Sequence, residues 1–516
     1  MSASREKKQR QGAGPADKAA QARQEQAARK RKTVTYTVLG VVIAALVAAL
    51  LIWNSNFFQR RATAATVGGT NISVAEMSYY YHYSRNSYAN YAAYGFVSFD
   101  PSIPDGEQFY NEEEQTTWRD VFLEEALENA AQVTMLYDAA VAAGHSTAEV
   151  KDDLNATIDS LKSGAAASGY NYASYLRAIY GEYMTPGFYK DVMSRILLGS
   201  KYSEEYGQQL ADGCTQEELE SYYAENADSV DTFEYSYLHF SPETVETTDA
   251  DGNDLPEDEV TAKQELALAE AKAKADEAQA AYKNGASIAD LISEYSPSSS
   301  VDHTSAVGSS RISSSAHAED LLKLGEDESA VVEGSNGYDL IVFHSRSRDE
   351  RLIANVRHIL ALAENGTNED GSTAAPTEEA WTAAQEKAQS ILDQYTSGAQ
   401  TADAFGALAN EKSDDGDGTT GGLYEDITRN SSYVTEFKDW IFEDGRQVGD
   451  TGLVRHDGGT SGYSGYHVMY LDSFGEAEWA FAVRNTLASQ ALSEWSEGLK
   501  ANYEAALADG AGYFGK

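Results

Sequence analysis

The C-terminal half of the chain is organised by two stretches that read as β-strands, IANVRHILAL at Ile353–Leu362 and YHVMYLD at Tyr466–Asp472. Each is a short, mainly apolar run that carries one histidine, His358 and His467, and such runs are typical of strands in a buried sheet. The segments between them predict two helices and a further strand, at Thr377–Tyr395, Ala402–Lys412 and Gly452–Arg455. This order predicts a β-α-α-β-β module in which helices pack on an antiparallel sheet.

The same order of elements occurs once more upstream. The strand-like segment EYSYLHF, which begins at Glu234, is followed by two helical patterns and two strands, at Glu259–Lys283, Ser287–Tyr295, Ala330–Glu333 and Tyr338–His344. The closing strands of the two copies look alike, GYDLIVF from Gly337 and GYHVMYL from Gly465. We therefore predict a first module over residues 232–346 and a second over residues 352–474.

Residues 62–231, ahead of both modules, predict a helical domain. Apolar residues recur there at three- and four-residue steps, most clearly in Trp118–Ala142, which is the spacing of an amphipathic helix. A last amphipathic pattern predicts a helix within residues 476–516 that folds back on this domain. The predicted fold class is α+β: a transmembrane helix, a helical domain, two antiparallel modules and a C-terminal helix.

The segment Val34–Trp53 predicts a membrane anchor, because its twenty residues carry no charge and a helix of that length spans the hydrocarbon of a bilayer. Residues 1–32 carry ten basic and three acidic side chains, and the positive-inside rule places such a tail in the cytoplasm. We predict a transmembrane helix over residues 33–54, in a single-pass protein of the cell membrane with the bulk of the chain outside the cytoplasm. The alternative is a cleaved signal peptide, since Ala62-Thr63-Ala64-Ala65 is a small-residue stretch.

The charge of the chain restricts its partners. The formal net charge is -43, from 82 acidic and 39 basic residues, so nucleic acid is not expected as a partner. No zinc, P-loop or serine-hydrolase motif is found, and we predict neither a metal nor a cofactor. Cys214 is the only cysteine, which excludes an intramolecular disulfide.

The second module resembles the parvulin-type peptidyl-prolyl isomerases, and the layout of the whole chain resembles extracytoplasmic foldases of the PrsA and SurA kind. The resemblance rests on RHIL from Arg357, on FGALA from Phe405 with Ser413-Asp414-Asp415, on GGL from Gly421, and on Phe437. It ends with SGYH from Ser464.

The resemblance implies roles for six residues. His358, Asp415, Ser464 and His467 would be catalytic, with Asp415 and Ser464 setting the protonation of the two histidines. Phe437 would form a wall of the proline pocket. Tyr433 stands where the family usually has methionine, so the shape of that pocket is expected to differ.

The first module departs further from the family pattern. It keeps His239, but Asp339 occupies the position of the second histidine and Ser298 the acidic position. We therefore predict a non-catalytic first module that binds peptides or acts as a spacer.

The resulting hypothesis is an extracytoplasmic prolyl isomerase and chaperone for secreted proteins. Its partners would be unfolded or newly secreted polypeptides with X-Pro segments, and the lipid bilayer through one transmembrane helix. Two alternatives stay open from the sequence: a non-catalytic holdase with vestigial modules, and a scaffold for an envelope assembly.

Overall fold

The computed structural model describes residues 15–53, 56–250, 252–308, 311–312, 318–368, 370–416, 420–460 and 462–516. The chain forms two compact units. One runs up to Leu210 and also includes Gln490–Lys516, and the other is Ala211–Ser489. The mixture of helices and antiparallel sheets confirms the predicted α+β class.

The N-terminal helix α1, Pro15–Trp53, contains the charge-free run. Within the described part of the chain, no helix combines the length and the apolar character needed to cross a membrane, so the predicted transmembrane helix is not supported there. Part of the predicted span lies outside the described residues, namely the side chains at 48–49 and 51–53 and the whole of 54–55. Residues 1–14 of the predicted cytoplasmic tail also lie outside them.

The first unit is mainly helical. After α1 its helices are α2 to α7, at Phe57–Arg61, Val74–Ala93, Trp118–Ala142, Lys151–Ala167, Tyr172–Tyr180 and Pro186–Gly213, the last of which runs on into the second unit. The α4 helix has the predicted bounds because Thr117 and Asp120 form a capping box at its start. Its buried face, with Trp118 and Phe122, contributes to the core of the unit.

A small sheet brings the end of the chain back to the beginning of this unit. Strands β1 and β2 are Thr63–Val67 and Thr70–Ser73, the short pair β3 and β4 is Phe109–Asn111 and Thr116–Thr117, and β15 is Ala505–Leu507. The β15 strand pairs antiparallel with β1, so that Ala65 lies opposite Leu507. The ring of Phe514 then stacks on Tyr81, with the ring centroids 5.0 Å apart.

The first module of the second unit is a four-stranded antiparallel sheet in the order β6-β5-β8-β7. Its strands β5 to β8 are Thr232–Phe240, Ser299–Val307, Ser329–Gly334 and Gly337–Ser347. The helix α8, Gln216–Val230, precedes the module, whose own helices α9 to α11 are Glu257–Lys283, Ile288–Tyr295 and Ala318–Leu321. The β6 strand was not predicted, because SSVDHTSAV lacks the apolar alternation by which a strand is recognised.

The second module repeats this sheet in the order β12-β9-β14-β13. Its strands β9 to β14 are Leu352–Leu362, Gly366–Thr367, Thr373–Ala374, Leu423–Ile427, Thr451–Asp457 and Ser464–Ala477. Its helices α12 to α14 are Glu378–Thr396, Ala402–Lys412 and Thr435–Ile441, and the chain continues into α15, Glu478–Lys500. The predicted module lacked β12 and α14.

The two faces of this second sheet are covered differently. On one face, Ile359 of β9 and Val468 of β14 pack against α12 and α13 around Phe405. On the other face, Val356 and Met469 pack with Phe437 and Ile441 of the short helix α14. Because side chains alternate between faces along a strand, His358 and His467 belong to the face that α14 covers. That helix leaves part of the face open, and the cavity there contains both histidines.

Candidate active site

The pairing of β9 with β14 places the two histidines side by side. In this antiparallel pair His358 lies opposite Met469, and His467 lies opposite Leu360. His358 and His467 are therefore diagonal neighbours on one face, a relation that lets large side chains touch. Both are almost fully buried, and their Nδ1 atoms are 3.2 Å apart.

The histidine pair belongs to a chain of hydrogen bonds with a defined direction. Asp415 Oδ2 is 3.0 Å from His358 Nε2, and Tyr463 Oη is 3.1 Å from His467 Nε2. An ionised carboxylate only accepts, so His358 Nε2 donates to Asp415 and its Nδ1 accepts from His467 Nδ1. The Nε2 atom of His467 then has no proton, and the Tyr463 hydroxyl donates to it. All four groups are satisfied with both imidazoles neutral.

The protonation of this chain follows from its surroundings. Burial, and next the neighbouring His358, lower the pKa of His467 from 6.5 to about 3. The hydrogen bond from His358 lowers the pKa of Asp415, and the Tyr424 hydroxyl adds a second hydrogen bond to Asp415 Oδ2 at 2.8 Å. Near neutral pH the site therefore contains an ionised Asp415, bonded to His358, and a neutral His467.

The loop after α13 fixes Asp415 by attaching itself to β9. The backbone N–H of Leu360 donates to Ser413 Oγ at 3.0 Å, and the N–H of Leu362 donates to Asp414 Oδ2 at 3.0 Å. The backbone N–H of Asp414 in turn donates to the carbonyl of Leu360 at 2.9 Å. Three hydrogen bonds to β9 thus hold the segment Ser413-Asp414-Asp415 beside His358.

The Gly421-Gly422 pair allows the chain to pass close behind His358. The N–H of His358 donates to the carbonyl of Gly422 at 2.9 Å. Gly422 has a φ of +65°, and a Cβ atom there would lie 2.2 Å from the His358 carbonyl oxygen. Only glycine fits such an approach with this backbone conformation. The two glycines therefore allow β12 to lie directly beside β9.

A cavity of about 470 Å³ opens in front of the histidines. Phe437 is buried at its wall, and its ring meets His358 and His467 edge-on, with centroid distances of 5.5 Å to each. Tyr433 packs on Phe437 at 5.4 Å and keeps 37% of its surface exposed. The lining residues are His358, Leu360, Leu362, Asp414, Asp415, Gly416, Tyr424, Tyr433, Val434, Phe437, Tyr463 and His467.

Five of the six predicted site residues line this cavity, and Ser464 does not. Ser464 is three residues from His467, so its side chain points to the opposite face of β14. Its Oγ accepts a hydrogen bond from Gly458 N–H at 3.1 Å, and its carbonyl accepts one from Ala363 N–H at 2.9 Å. The first contact closes the β13–β14 hairpin, and the second extends the pairing of β9 with β14. Tyr463 occupies the position beside the histidines that we expected for Ser464.

Sequence reasoning missed Tyr424 and Tyr463. Tyr424 follows the glycine turn on β12, the strand that was not predicted. Tyr463 lies in the β13–β14 hairpin, a loop that carries no periodic signal. The SGYH motif that carries the family resemblance begins one residue after Tyr463.

The first module has one half of this arrangement. His239 on β5 lies opposite Asp339 on β8, and their side chains are joined at 2.8 Å between Nδ1 and Oδ1. His239 lies opposite Asp339 as Leu360 lies opposite His467, so a directly opposed histidine-carboxylate pair replaces the diagonal histidine pair of the second module. No cluster of three side chains suited to a metal ion occurs within the described ranges of either module.

Comparison with known proteins identifies the second module. Residues 358–473 match the family model of the rotamases, described as the PPIC-type PPIASE domain. The second module is a parvulin-type prolyl isomerase domain. No curated protein matches the chain.

Two solved structures are similar to parts of this chain. The peptidylprolyl isomerase PrsA from Bacillus cereus is 21% identical over 30% of this chain and 49% of its own, with a TM-score of 0.18. PrsA from Bacillus subtilis is 14% identical over 47% of this chain and 79% of its own, with a TM-score of 0.16. The chain thus spans about half the length of the first of these proteins.

The lowered pKa of His467 predicts how acid affects the parvulin domain. Between pH 6.5 and about 3 the unfolded chain binds a proton at His467 that the folded domain does not bind. Stability is therefore expected to fall as the pH drops through this window, by about 1.4 kcal/mol per pH unit. The measurement is the opening free energy from hydrogen exchange of β9 and β14 amides across this range. A His467→Asn variant serves as the control, and equal slopes in both proteins would contradict the assignment.

A second prediction concerns the hydroxyl of Tyr463. In a Tyr463→Phe variant His467 loses the donor to Nε2 and is expected to populate the other tautomer, visible in long-range ¹H–¹⁵N spectra of the imidazoles. The loss of one hydrogen bond is expected to lower kcat/KM by about two- to tenfold. Tyr466→Phe, three residues further along in β14, is the matched control, since its ring packs on Trp381. An unchanged tautomer in Tyr463→Phe would show that Tyr463 does not orient His467.

Proposed function

We propose that the chain catalyses cis-trans isomerisation of X-Pro bonds in polypeptides through the second module, with His358, Asp415 and His467 at the reacting amide. The observation that carries the proposal is the directed hydrogen-bond chain from Tyr463 to Asp415, which lies against an aromatic cavity of a size suited to a proline ring. The match to the rotamase family covers this same segment.

The chemistry requires no strong nucleophile. The barrier to rotation about a peptide bond is about 18–20 kcal/mol, and it falls when the twisted amide is bound more tightly than the planar one. Phe437 and Tyr433 hold the proline ring through apolar contact. The two histidines and Asp415 present a fixed array of polar groups in a low-dielectric cavity, where such groups act on the amide dipole more strongly than water does.

The first unit supports a role in holding clients. It exposes several large aromatic side chains, and such rings contact unfolded chains through both an apolar face, and in tyrosine, a hydroxyl. Among them are Tyr83, Tyr91, Tyr94, Phe96, Phe109 and Tyr110. We propose that this unit binds unfolded or newly secreted polypeptides while the parvulin domain acts on them.

The holdase reading is favoured for the first module alone. Its His239–Asp339 pair leaves a carboxylate where the second module has His467. We propose that the first module takes no part in isomerisation.

We further propose that the chain is attached to a membrane and works outside the cytoplasm. Large apolar side chains of α1 are exposed over the charge-free run, among them Val34, Leu39, Val41, Ile43, Leu46 and Leu50. A basic stretch, Arg29 to Lys32, comes directly before this run. Exposed apolar surface on a helix flanked by cations suits insertion into a lipid bilayer.

The isomerase proposal is tested with the full chain and a tetrapeptide that contains one X-Pro bond. We expect acceleration that falls about ten- to hundredfold in His358→Ala and in His467→Ala, because each removes a polar group from a buried network. His239→Ala is the control, since it removes the histidine of the first module that is hydrogen-bonded to Asp339. Absence of acceleration by the folded wild-type chain would favour the non-catalytic holdase, and loss of activity in His239→Ala would place catalysis in the first module.

The attachment proposal is tested by alkaline extraction of membranes from cells that make the chain. The wild-type chain is expected to stay with the bilayer. A variant that carries both Ile43→Arg and Leu46→Arg should be released, because each arginine in hydrocarbon costs about 2.5–3.5 kcal/mol. Release of the wild-type chain, or retention of the variant, would contradict attachment through α1.

A further inference from the structure

The cavity of the parvulin domain is acidic at its mouth. Asp414 and Asp415 both line it. Glu436, the residue before Phe437 on α14, has its carboxylate 3.2 Å from His456 Nδ1. The ring of His456 packs on Tyr463 at 4.9 Å, which brings Glu436 to the lip beside the histidine chain.

In the part of the chain that the structure describes, a lysine or arginine side chain pairs with only one of these three carboxylates. Among the described residues that line the cavity there is neither lysine nor arginine. Lys387 reaches the mouth, but its Nζ is 2.6 Å from Asp414 and neutralises that carboxylate. Arg357 of β9 is 2.9 Å from Asp472. Within the described ranges, Asp415 and Glu436 pair with the histidines His358 and His456 and with no lysine or arginine, so their carboxylates make the opening acidic.

Two aromatic rings at the same opening favour cations as well. Tyr433 is 37% exposed and Tyr463 is 40% exposed, so each presents a ring to solvent next to the cavity. The face of an aromatic ring attracts a guanidinium or ammonium group within about 6 Å. Carboxylates beside exposed tyrosine rings form an environment that stabilises a basic side chain and repels an acidic one.

We propose that the parvulin domain selects X-Pro bonds that have a lysine or arginine next to the proline and discriminates against those with an acidic residue there. The proline ring occupies the space against Phe437, and the basic side chain extends to the mouth between Glu436 and the tyrosine rings. This specificity rests on the proposed isomerase function and assigns Glu436 as its main determinant. Clients of high positive charge are then isomerised preferentially.

The test compares three peptides, Ala-Lys-Pro-Phe, Ala-Ala-Pro-Phe and Ala-Glu-Pro-Phe, with the full chain at low ionic strength. We expect kcat/KM for the lysine peptide to exceed that for the glutamate peptide by about tenfold, from partly exposed charges worth up to about a factor of five each. In 1 M salt, where the screening length is about 3 Å, the ratio should approach one.

Two variants separate the assigned residue from the general acidity of the chain. Glu436→Gln should lower the lysine-to-glutamate ratio by about threefold. Glu259→Gln, which removes one exposed charge from α9 of the first module, should leave the ratio unchanged. A ratio near one at low salt in the wild-type chain would overturn the inference while leaving the isomerase function intact, as would equal effects of the two variants.

Loss of the proposed function itself has a different signature. If no peptide is isomerised by the folded chain, binding of the same three peptides, labelled with a fluorophore and followed by anisotropy, decides the charge preference by itself. Tighter binding of the lysine peptide that weakens in Glu436→Gln would support the inference for a binding site. Equal binding of the three peptides would overturn it.

Discussion

The antiparallel pairing of β9 with β14 is the constraint on which the site depends. It sets the diagonal contact of His358 with His467 and decides which face of the sheet each histidine occupies. A shift of either strand by one residue would turn the imidazole of that strand to the face covered by α12 and α13. Three features hold this register, each at one edge of the strand pair: the turn at Gly422, the loop at Asp415 and the hairpin at Ser464.

The strand pairing also determines where charge lies in the site. The imidazoles are buried at its centre, and the ionised carboxylates lie at the mouth of the cavity. Burying two imidazoles without water favours their neutral forms, and the single carboxylate in contact with them satisfies the donor that results. A neutral imidazole can orient a substrate amide through hydrogen bonds. It binds the amide less strongly than a charged group would, so the product is not retained. Charge is then left to the rim, where solvent reduces the cost of keeping it.

Much of the fold could be predicted from the sequence, but only part of the site. The α4 helix has its predicted bounds because the cap and the apolar spacing coincide at Trp118. The β6 strand was missed because its partners, not its own composition, make it a strand. His358, Asp415, Phe437 and His467 were predicted through the resemblance to a family, and the structure brings them together. Tyr463 was missed and Ser464 misplaced because which of two adjacent hairpin residues faces the histidines depends on the pleat of β14. The contact of His358 with His467 joins residues 109 positions apart in the chain, and no local pattern encodes it.

The pairing of β1 with β15 has a consequence for the order in which the chain acquires structure. The first strand of the helical unit has its partner near residue 507, so this unit cannot be completed until almost every residue has left the ribosome. The segment Ala211–Ser489 is enclosed between the two parts and contains its own sheets, which lets it fold while the N-terminal part waits. The helical unit that would hold clients is therefore the last part of the molecule to mature, and until then its apolar surfaces are themselves exposed and in need of protection.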